Sequence, residues 1–344
     1  MKHLKVISVL LALCMVLCAF AACAGKTDEP DATAADATAA DATAAPADTD
    51  GKTFTVGICQ LVQHEALDAA TKGFKDALTE ALGDSVTFDE QNAAGDSATC
   101  ATIVNSFVSK NVDLIMANAT PALQAAYNAT ETIPVLGTSI TEYGTALELS
   151  DFNGTVGGNV SGTSDLAPLD EQAQMLVDLF PDAQKVGLLY CSGEPNSAYQ
   201  VKVVREELEA KGIEVTDYSF ADSNDINAVL NKAVSEVDVI YIPTDNTAAN
   251  SAELIGNIVR EAKIPVIAGE EGICKACGVA TLTISYYDLG VKTGEMAAKI
   301  LKGEADISTM AIEYAPVTKK YNKAIADELG IEIPEDYEAI EAAE

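Results

Sequence analysis

The sequence predicts an α/β protein made of two similar, doubly wound, parallel-sheet lobes. Three observations support this fold class. Short runs rich in branched aliphatic residues alternate with segments of helical periodicity from Phe54 onward. The order of these segments is repeated after about 130 residues. The chain has 344 residues, of which 48% are hydrophobic, so it can fill the cores of two lobes of ordinary size.

The first half of the ordered region is predicted to alternate strands and helices. Strands alternating with helices of this length are typical of a parallel sheet with right-handed crossovers. Helix 65–82 carries apolar residues at helical spacing, with Leu67, Phe74 and Leu78 on one face. The predicted strands are 55–58, 86–88, 112–116 and 133–136, and the predicted helices are 65–82, 98–108 and one that begins at Thr120.

The second half repeats this order. One matched pair of strands could arise by chance, whereas three pairs in the same order, with helices between them, indicate two copies of one plan. Variation in loop length accounts for the small differences in offset. The matched strands are 55–58 with 185–189, 112–116 with 237–241, and 133–136 with 264–267.

The N-terminus is predicted to be an export signal spanning residues 1–23. Lys2 and Lys5 precede an apolar run that ends in small residues before Cys23. This pattern is similar to a bacterial lipobox, in which the cysteine carries lipid and becomes the mature N-terminus. Phe20 departs from the usual leucine, so plain cleavage or an uncleaved anchor remain alternatives. Each alternative places the rest of the chain outside the cytoplasm.

Residues 24–52 are predicted to form a disordered tether. The pentapeptide Asp-Ala-Thr-Ala-Ala begins at Asp31 and recurs at Asp36 and Asp41. The repeats lack aromatic and branched aliphatic side chains, so they cannot bury enough surface to offset the entropy of ordering. The segment is either a spacer that holds a domain off the membrane or low-complexity sequence without consequence, and the residues do not separate the two.

Composition excludes several function classes. The chain has 21 Lys+Arg against 53 Asp+Glu, a net charge of −32, so a nucleic-acid partner is not expected. Its two histidines, His3 and His64, are too few for a histidine-rich metal site. Neither a P-loop nor a G-x-S-x-G motif occurs. We therefore expect no catalysis, no metal and no cofactor.

The predicted fold also predicts where a ligand binds. Ligands of open parallel sheets bind outside the carboxyl ends of the strands. Two lobes that face each other with these edges form a cleft that can close around a small molecule. Together with export and a tether, this arrangement is typical of a solute-binding protein.

Four segments make the resemblance to a known family specific. They are 60–68 (Gln-Leu-Val-Gln-His-Glu-Ala-Leu-Asp), 159–168 (Asn-Val-Ser-Gly-Thr-Ser-Asp-Leu-Ala-Pro), 194–197 (Glu-Pro-Asn-Ser) and 243–246 (Pro-Thr-Asp-Asn). Together they resemble the ABC-transporter substrate-binding lipoproteins that include tryptophan-binding members, and the resemblance covers residues 53 to about 330. Many members have His-Pro where this chain has His64-Glu65, so the resemblance assigns no precise role to His64.

The resemblance implies a type I periplasmic-binding fold with a three-strand hinge. The implied crossovers lie near 161–165, 282–286 and 310–313, with Ser161, Asp165 and Tyr286 as hinge residues. Lobe 1 would then comprise residues 53–162 and 285–310. Lobe 2 would comprise residues 163–284 and 311–344.

The resemblance also implies a function and partners. The protein would be the extracytoplasmic binding component of an ABC importer, anchored to the bacterial membrane by lipid. It would be a monomer that delivers a small solute to a permease powered by a separate ATPase, and the expected solute is an amino acid, in particular an aromatic one. A ligand-sensing module of a signalling receptor and an exported enzyme are the alternatives.

Candidate ligand-binding residues follow the predicted strands. Hydroxyls and free backbone N–H groups at helix starts can bind a carboxylate, and acids such as Asp245 and Glu270 can pair with an ammonium group. Several of these residues could equally be helix caps and nothing more. The candidates are Gln60, His64, Thr120, Thr138, Ser139, Glu194, Asn196, Ser197, Thr244, Asp245, Asn246 and Glu270.

Cys274 and Cys277 form an isolated C-x-x-C pair. Zinc would need two further ligands nearby, and a redox pair would be expected at a helix N-terminus after a strand. The pair instead precedes a predicted strand at 279–284. The sequence therefore leaves a small-loop disulfide or two idle thiols as the alternatives.

Overall fold

The structure, a computed structural model, describes residues 51–340. The predicted export signal, the predicted lipidation site Cys23 and nearly all of the predicted tether lie outside the described residues. Within 51–340, no helix combines the length and apolarity needed to cross a membrane.

The chain builds a first lobe, crosses to a second, returns, and crosses again. The first passage contains β1 (Phe54–Gln60), α1 (Glu65–Leu82), β2 (Val86–Asn92), α2 (Ser97–Lys110), β3 (Leu114–Asn118), α3 (Thr120–Ala129), β4 (Val135–Ile140), α4 (Tyr143–Ala146) and β5 (Val160–Ser164). The second contains α5 (Leu169–Leu179), β6 (Lys185–Cys191), α6 (Pro195–Ala210), β7 (Glu214–Phe220), α7 (Ile226–Ala233), β8 (Val239–Ile242), α8 (Asn246–Asn250), α9 (Ala252–Ala262), β9 (Val266–Ala268), α10 (Glu271–Cys277) and β10 (Ala280–Ile284). The return adds α11 (Tyr286–Leu301) and β11 (Glu313–Tyr314), and the last passage adds β12 (Val317–Tyr321), α12 (Lys323–Leu329) and β13 (Glu338–Ala339).

The two sheets have equivalent strand orders, which confirms the predicted fold class of two similar parallel-sheet lobes. The first sheet runs β11-β5-β4-β3-β1-β2 and the second runs β13-β12-β10-β9-β8-β6-β7. Strands β1 to β5 are therefore repeated as β6 to β10. All pairs in the first sheet are parallel, while β12 pairs antiparallel with β10 in the second.

The central strands are buried because helices cover both faces of each sheet. In β1 every residue except Thr55 is buried. One face of β1 packs against α2, where a Cβ added to Gly57 would lie 2.6 Å from the Phe107 ring. The other face packs under α1 and α11, with Val56, Ile58 and Phe74 in one apolar cluster. These layers hold the carboxyl ends of the strands rigidly at the cleft.

The strand pairing corrects two predicted boundaries. Lobe 1 was predicted to end at residue 162 and again at residue 310, but β5 pairs with β4 as far as Ser164, and Glu313 and Tyr314 pair with β5. The last crossover therefore lies at residues 315–316, later than the predicted 310–313. The cause is that β11 is only two residues long, so it has no hydrophobic periodicity that the sequence could reveal.

The cysteines of the described residues are all unbridged and buried. The disulfide alternative for Cys274 and Cys277 is therefore wrong, and both are thiols on α10. Cys277 Sγ donates instead to the carbonyl oxygen of Ile273, one helical turn earlier, at 3.2 Å. The two cysteines lie three positions apart on one helix without a bridge, and the Cys277 thiol is satisfied along that helix.

Candidate functional site

The carboxyl ends of both sheets face one narrow interlobe cavity, whose volume of about 10 Å³ leaves room for about one water molecule. From the first lobe, β1 and β4 lead into it. From the second lobe, β6, β8 and β9 lead into it. The cavity is lined by His64, Leu67, Ser139, Thr141, Asp165, Asn196, Thr244, Asp245, Asn246, Ala249, Glu270 and Tyr286.

Direct contacts between the lobes close the cleft over this cavity. His64 Nε2 lies 3.2 Å from Asn246 Oδ1, and Thr141 Oγ1 lies 3.5 Å from Thr244 Oγ1. At the rim, Lys275 Nζ of the second lobe lies 2.8 Å from Glu65 Oε1 of the first. The structure is thus a closed arrangement of the two lobes.

The cavity is acidic. Three carboxylic acids line it, and no lysine or arginine is among its lining residues. Burial raises the pKa of Asp165, Asp245 and Glu270, because a charged carboxylate is costly in a site shielded from water. His64 is the basic group there, and burial lowers its pKa. Such a cavity favours a ligand that carries a cationic group.

Asp245 uses both carboxylate oxygens within the second lobe. Oδ1 accepts a hydrogen bond from Ala248 N at 2.8 Å and so caps α8, and Oδ2 accepts one from Cys191 N at 2.6 Å. Asp245 is almost fully buried, and burial raises its pKa to about 7, with a further rise caused by Glu194. The side chain therefore joins the ends of two neighbouring strands, β6 and β8, at the wall of the cavity.

Glu270 caps α10 in the same way. Its two oxygens accept hydrogen bonds from Gly272 N at 2.7 Å and from Ile273 N. Burial raises its pKa to about 7, against the lowering effect of these two N–H donors. Both acids that the sequence proposed as ammonium partners are thus already satisfied by backbone donors.

Glu194 organises the loop after β8. Its oxygens accept hydrogen bonds from the backbone and side chains of Asn246 and Thr247. It lies on the wall of an adjacent interlobe crevice rather than on the cavity itself. Glu194 thereby holds Asn246 in place opposite His64.

The hinge candidates lie in different environments. Tyr286 Oη donates to Asp165 Oδ2 at 2.8 Å, and both side chains line the cavity. These residues adjoin two of the crossovers, Asp165 just after β5 and Tyr286 at the start of α11. Ser161 lies within β5 and donates to the carbonyl oxygen of Met310 at 3.0 Å, away from the cavity.

Ser139 has a strained backbone at the cavity wall. Its φ is +57°, a left-handed conformation that is uncommon for a residue with a side chain. The β4–β5 register also shifts between Gly137 and Ile140. Strain of this kind concentrates at functional sites. Because of the register shift, Ser139 and Thr141 both line the cavity.

Some predicted ligand residues serve their own lobe instead. Gln60 Nε2 donates to Asp68 Oδ1 at 2.6 Å, and its Oε1 accepts from Thr71, which ties β1 to α1. Thr138 is fully buried and lies 3.3 Å from Thr163 Oγ1. Of the predicted set, the structure brings together His64, Ser139, Asn196, Thr244, Asp245, Asn246 and Glu270 at the cavity, but not Gln60, Thr120, Thr138, Glu194 and Ser197.

Sequence reasoning missed three lining residues, Leu67, Thr141 and Ala249. Thr141 is the first residue after β4, so its position at the carboxyl end of a strand was a usable signal for it. Leu67 and Ala249 had none, because an apolar residue in the first turn of a helix is ordinarily a core residue. Among residues 51–340, no group of three or more side chains is arranged to hold a metal ion.

Comparisons with known proteins find relatives that are described as ligand-binding proteins or found with a bound ligand. A family model described as ABC transporter substrate binding protein matches residues 55–343. A tyrosine-binding protein of Clostridioides difficile (strain R20291) is 38% identical over 257 residues, which are 74% of this chain and 74% of that protein.

Two solved structures represent two states of similar proteins. The ABC domain in complex with L-Trp from Streptococcus pneumonia is 33% identical, with a TM-score of 0.78. The match covers 83% of this chain and 97% of that one. The ligand-free, open structure of a substrate binding protein with adhesive properties from Clostridium difficile is 37% identical, with a TM-score of 0.65. The latter match covers 85% of this chain and 100% of that one.

Proposed function

This chain belongs to the ABC transporter substrate-binding protein family and has the type I periplasmic-binding fold, and from this premise we propose that it captures an aromatic amino acid for an ABC importer. The ligands of two relatives, tyrosine and L-Trp, belong to one chemical class. The observation that carries the proposal is the acidic, polar cavity that both lobes line and close.

The polarity of the cavity suits a zwitterion. On the first-lobe side, α1 begins after His64 without a side-chain cap, so its first-turn N–H groups are free to bind a carboxylate. Ser139 supplies a hydroxyl on the same side. On the other side, acids and amide oxygens favour a cation. An amino acid presents both charges on neighbouring atoms and so matches both sides.

Capture would work by closure of the lobes around the three crossovers. This chain superposes better on the L-Trp complex than on the open relative, although it is less identical to the former in sequence. That difference supports a closed state resembling the liganded one. The interlobe contacts of His64 and Lys275 would form on closure and be lost on opening.

The proposed transport role also gives a function to the segments before the two lobes and implies two partner proteins. Lipid on Cys23 would anchor the chain outside the cytoplasm, and residues 24–52 would space the lobes from the membrane. The closed monomer would deliver its ligand to a permease, with a separate ATPase supplying energy. The protein itself would perform no catalysis.

Titration with L-tryptophan tests this function directly. The chain contains no tryptophan, so tryptophan fluorescence comes from the added ligand alone and reports its binding. We expect saturable binding of L-tryptophan or L-tyrosine by the full chain. A ligand at 100 times its Kd should add about 2.7 kcal/mol to the free energy of unfolding. If no amino acid raises the Tm or binds in titration, the proposed function is wrong.

A further inference from the structure

Three buried polar atoms around the cavity have no hydrogen-bond partner. They are Ser139 Oγ, Asp165 Oδ1 and Asn196 Oδ1, and each residue is at least nine-tenths buried. Buried polar groups in proteins are nearly always paired, and leaving one unpaired costs about 1–3 kcal/mol. The lining of a single cavity thus holds three atoms that a ligand can satisfy.

Two of these atoms are acceptors, Asn196 Oδ1 as an amide oxygen and Asp165 Oδ1 in the ionised carboxylate. Asp165 Oδ1 is a carboxylate oxygen, and Asp165 already uses Oδ2 to accept from Tyr286. Asn196 Oδ1 is an amide oxygen, and the contacts of the amide nitrogen Nδ2 show which of the two atoms is the oxygen. Asn196 Nδ2 donates to Glu194 Oε2 at 3.2 Å and to the carbonyl oxygen of Thr244 at 3.1 Å. A flipped amide would point an oxygen at these acceptors, so Oδ1 must face the cavity.

A primary ammonium group has the donors and the charge to satisfy both acceptors. It offers three N–H donors and a positive charge, whereas a hydroxyl offers one donor and no charge. Asp245 and Glu270 are poorer partners because backbone N–H groups already occupy their oxygens. Asp165 is the lining acid with a free oxygen.

We propose that Asp165 Oδ1, together with Asn196 Oδ1, binds the α-ammonium group of the ligand. This inference rests on the proposed function and deepens it, because it moves the cation from the second-lobe acids to an acid at a crossover. Asp165 adjoins the first crossover, and its partner Tyr286 adjoins the second. The ligand's cation therefore neutralises a buried hinge carboxylate, and ligands without a free amino group forgo this stabilisation of the closed state.

Calorimetric titration of the full chain with two probes tests the assignment. The probes are L-tyrosine and 3-(4-hydroxyphenyl)propanoate, which lacks only the amino group. For the unaltered protein we expect L-tyrosine to bind about 100-fold more tightly, which corresponds to about 2.7 kcal/mol. In Asp165→Asn we expect this preference to fall to tenfold or less, through loss of L-tyrosine affinity.

Two further variants make the result decisive. Asp288→Asn removes an exposed acid from the first turn of α11 and should keep the full preference. Asn196→Ala should reduce the preference even if Asp165→Asn does not fold. An unchanged preference in Asp165→Asn, with L-tyrosine still bound by the unaltered protein, overturns the assignment of Asp165 and leaves the proposed function standing. Failure of the unaltered protein to bind any amino acid overturns both.

Discussion

Gly290 of α11 packs directly against the backbone of Ala70 in α1. A Cβ built at Gly290 would lie 2.0 Å from the Ala70 carbonyl oxygen, far inside van der Waals contact. Gly73 of α1 makes the reciprocal approach, at 2.1 Å from the Tyr287 carbonyl oxygen. The two helices therefore touch backbone to backbone. This contact attaches the returning helix to the lobe that holds β1.

Gly290→Ala should destabilise the protein although alanine is the better helix former. Separation of the two backbones should cost about 1–3 kcal/mol, more than the gain of about 1 kcal/mol from helix propensity. Urea unfolding of the unliganded chain measures the difference. Glu295→Ala on the exposed face of α11 is the control, and its change should stay within about 0.5 kcal/mol. Equal stability of Gly290→Ala and the unaltered chain would contradict the helix contact.

Tyr286→Phe should be much more costly than Tyr287→Phe. The first change removes a donor from a buried carboxylate, Asp165, which costs about 1–3 kcal/mol. The second removes a hydroxyl that lies 3.0 Å from the exposed Asp76, and its effect should stay below about 0.5 kcal/mol. Chemical denaturation compares the neighbouring variants under identical conditions. Similar losses of unfolding free energy in the two variants would show that the hydrogen bond between Tyr286 and Asp165 contributes little to stability.

His64→Ala should speed ligand release. The variant loses the interlobe contact with Asn246, so the closed state should weaken by about 0.5–1.5 kcal/mol, a two- to tenfold faster off-rate. Stopped-flow displacement of L-tryptophan measures that rate. A double-mutant cycle with Asn246→Ala separates this contact from direct ligand contact. Strictly additive effects of the two changes would argue against the interlobe bond.

The unliganded protein should become less stable as pH rises from about 4 to 7. Asp245 and Glu270 have their pKa raised to about 7 by burial, from ordinary values of 3.8 and 4.5. Between those limits the folded state retains protons that the unfolded chain has released, so the free energy of unfolding falls with increasing pH. Burial also raises the pKa of Asp165, which adds to this trend, whereas the lowered pKa of His64 opposes it, so one histidine stands against three acids.

Thermal unfolding at pH 5 and pH 8 measures that dependence. Glu270→Gln removes one of the three buried acids whose pKa is raised, so the difference in Tm between the two pH values should shrink. Repulsion among the many surface acids would persist in this variant and serves as the internal control. A difference in Tm that is the same in both proteins would exclude Glu270 as a source of the pH dependence.

The fold was largely predictable because hydrophobic periodicity repeats in the two halves. The matched strands at 55–58 and 185–189 became β1 and β6, which occupy equivalent places in their sheets. Short elements were not predictable. The two-residue strand β11 joins the first sheet through its neighbour β5, a long-range pairing that leaves no local pattern.

The site was predictable only in outline. The rule that ligands bind at strand carboxyl ends located Ser139, Asp245 and Glu270 at the cavity. It did not distinguish acids that cap helices from an acid with a free oxygen, because that depends on which backbone N–H groups each carboxylate meets. Asp165 was predicted only as a hinge residue for this reason. The left-handed backbone of Ser139 was equally hidden, since it results from the register shift in β4.

The three crossovers also impose an order of assembly on a growing chain. The first sheet lacks its edge strand until Tyr314 has been made, and α1 lacks its packing partner until α11 has been made. Residues 166–284, by contrast, supply five strands of the second sheet without interruption. The first lobe is therefore completed late. During synthesis, the apolar face of α1 that packs against α11 stays uncovered for more than half the length of the polypeptide.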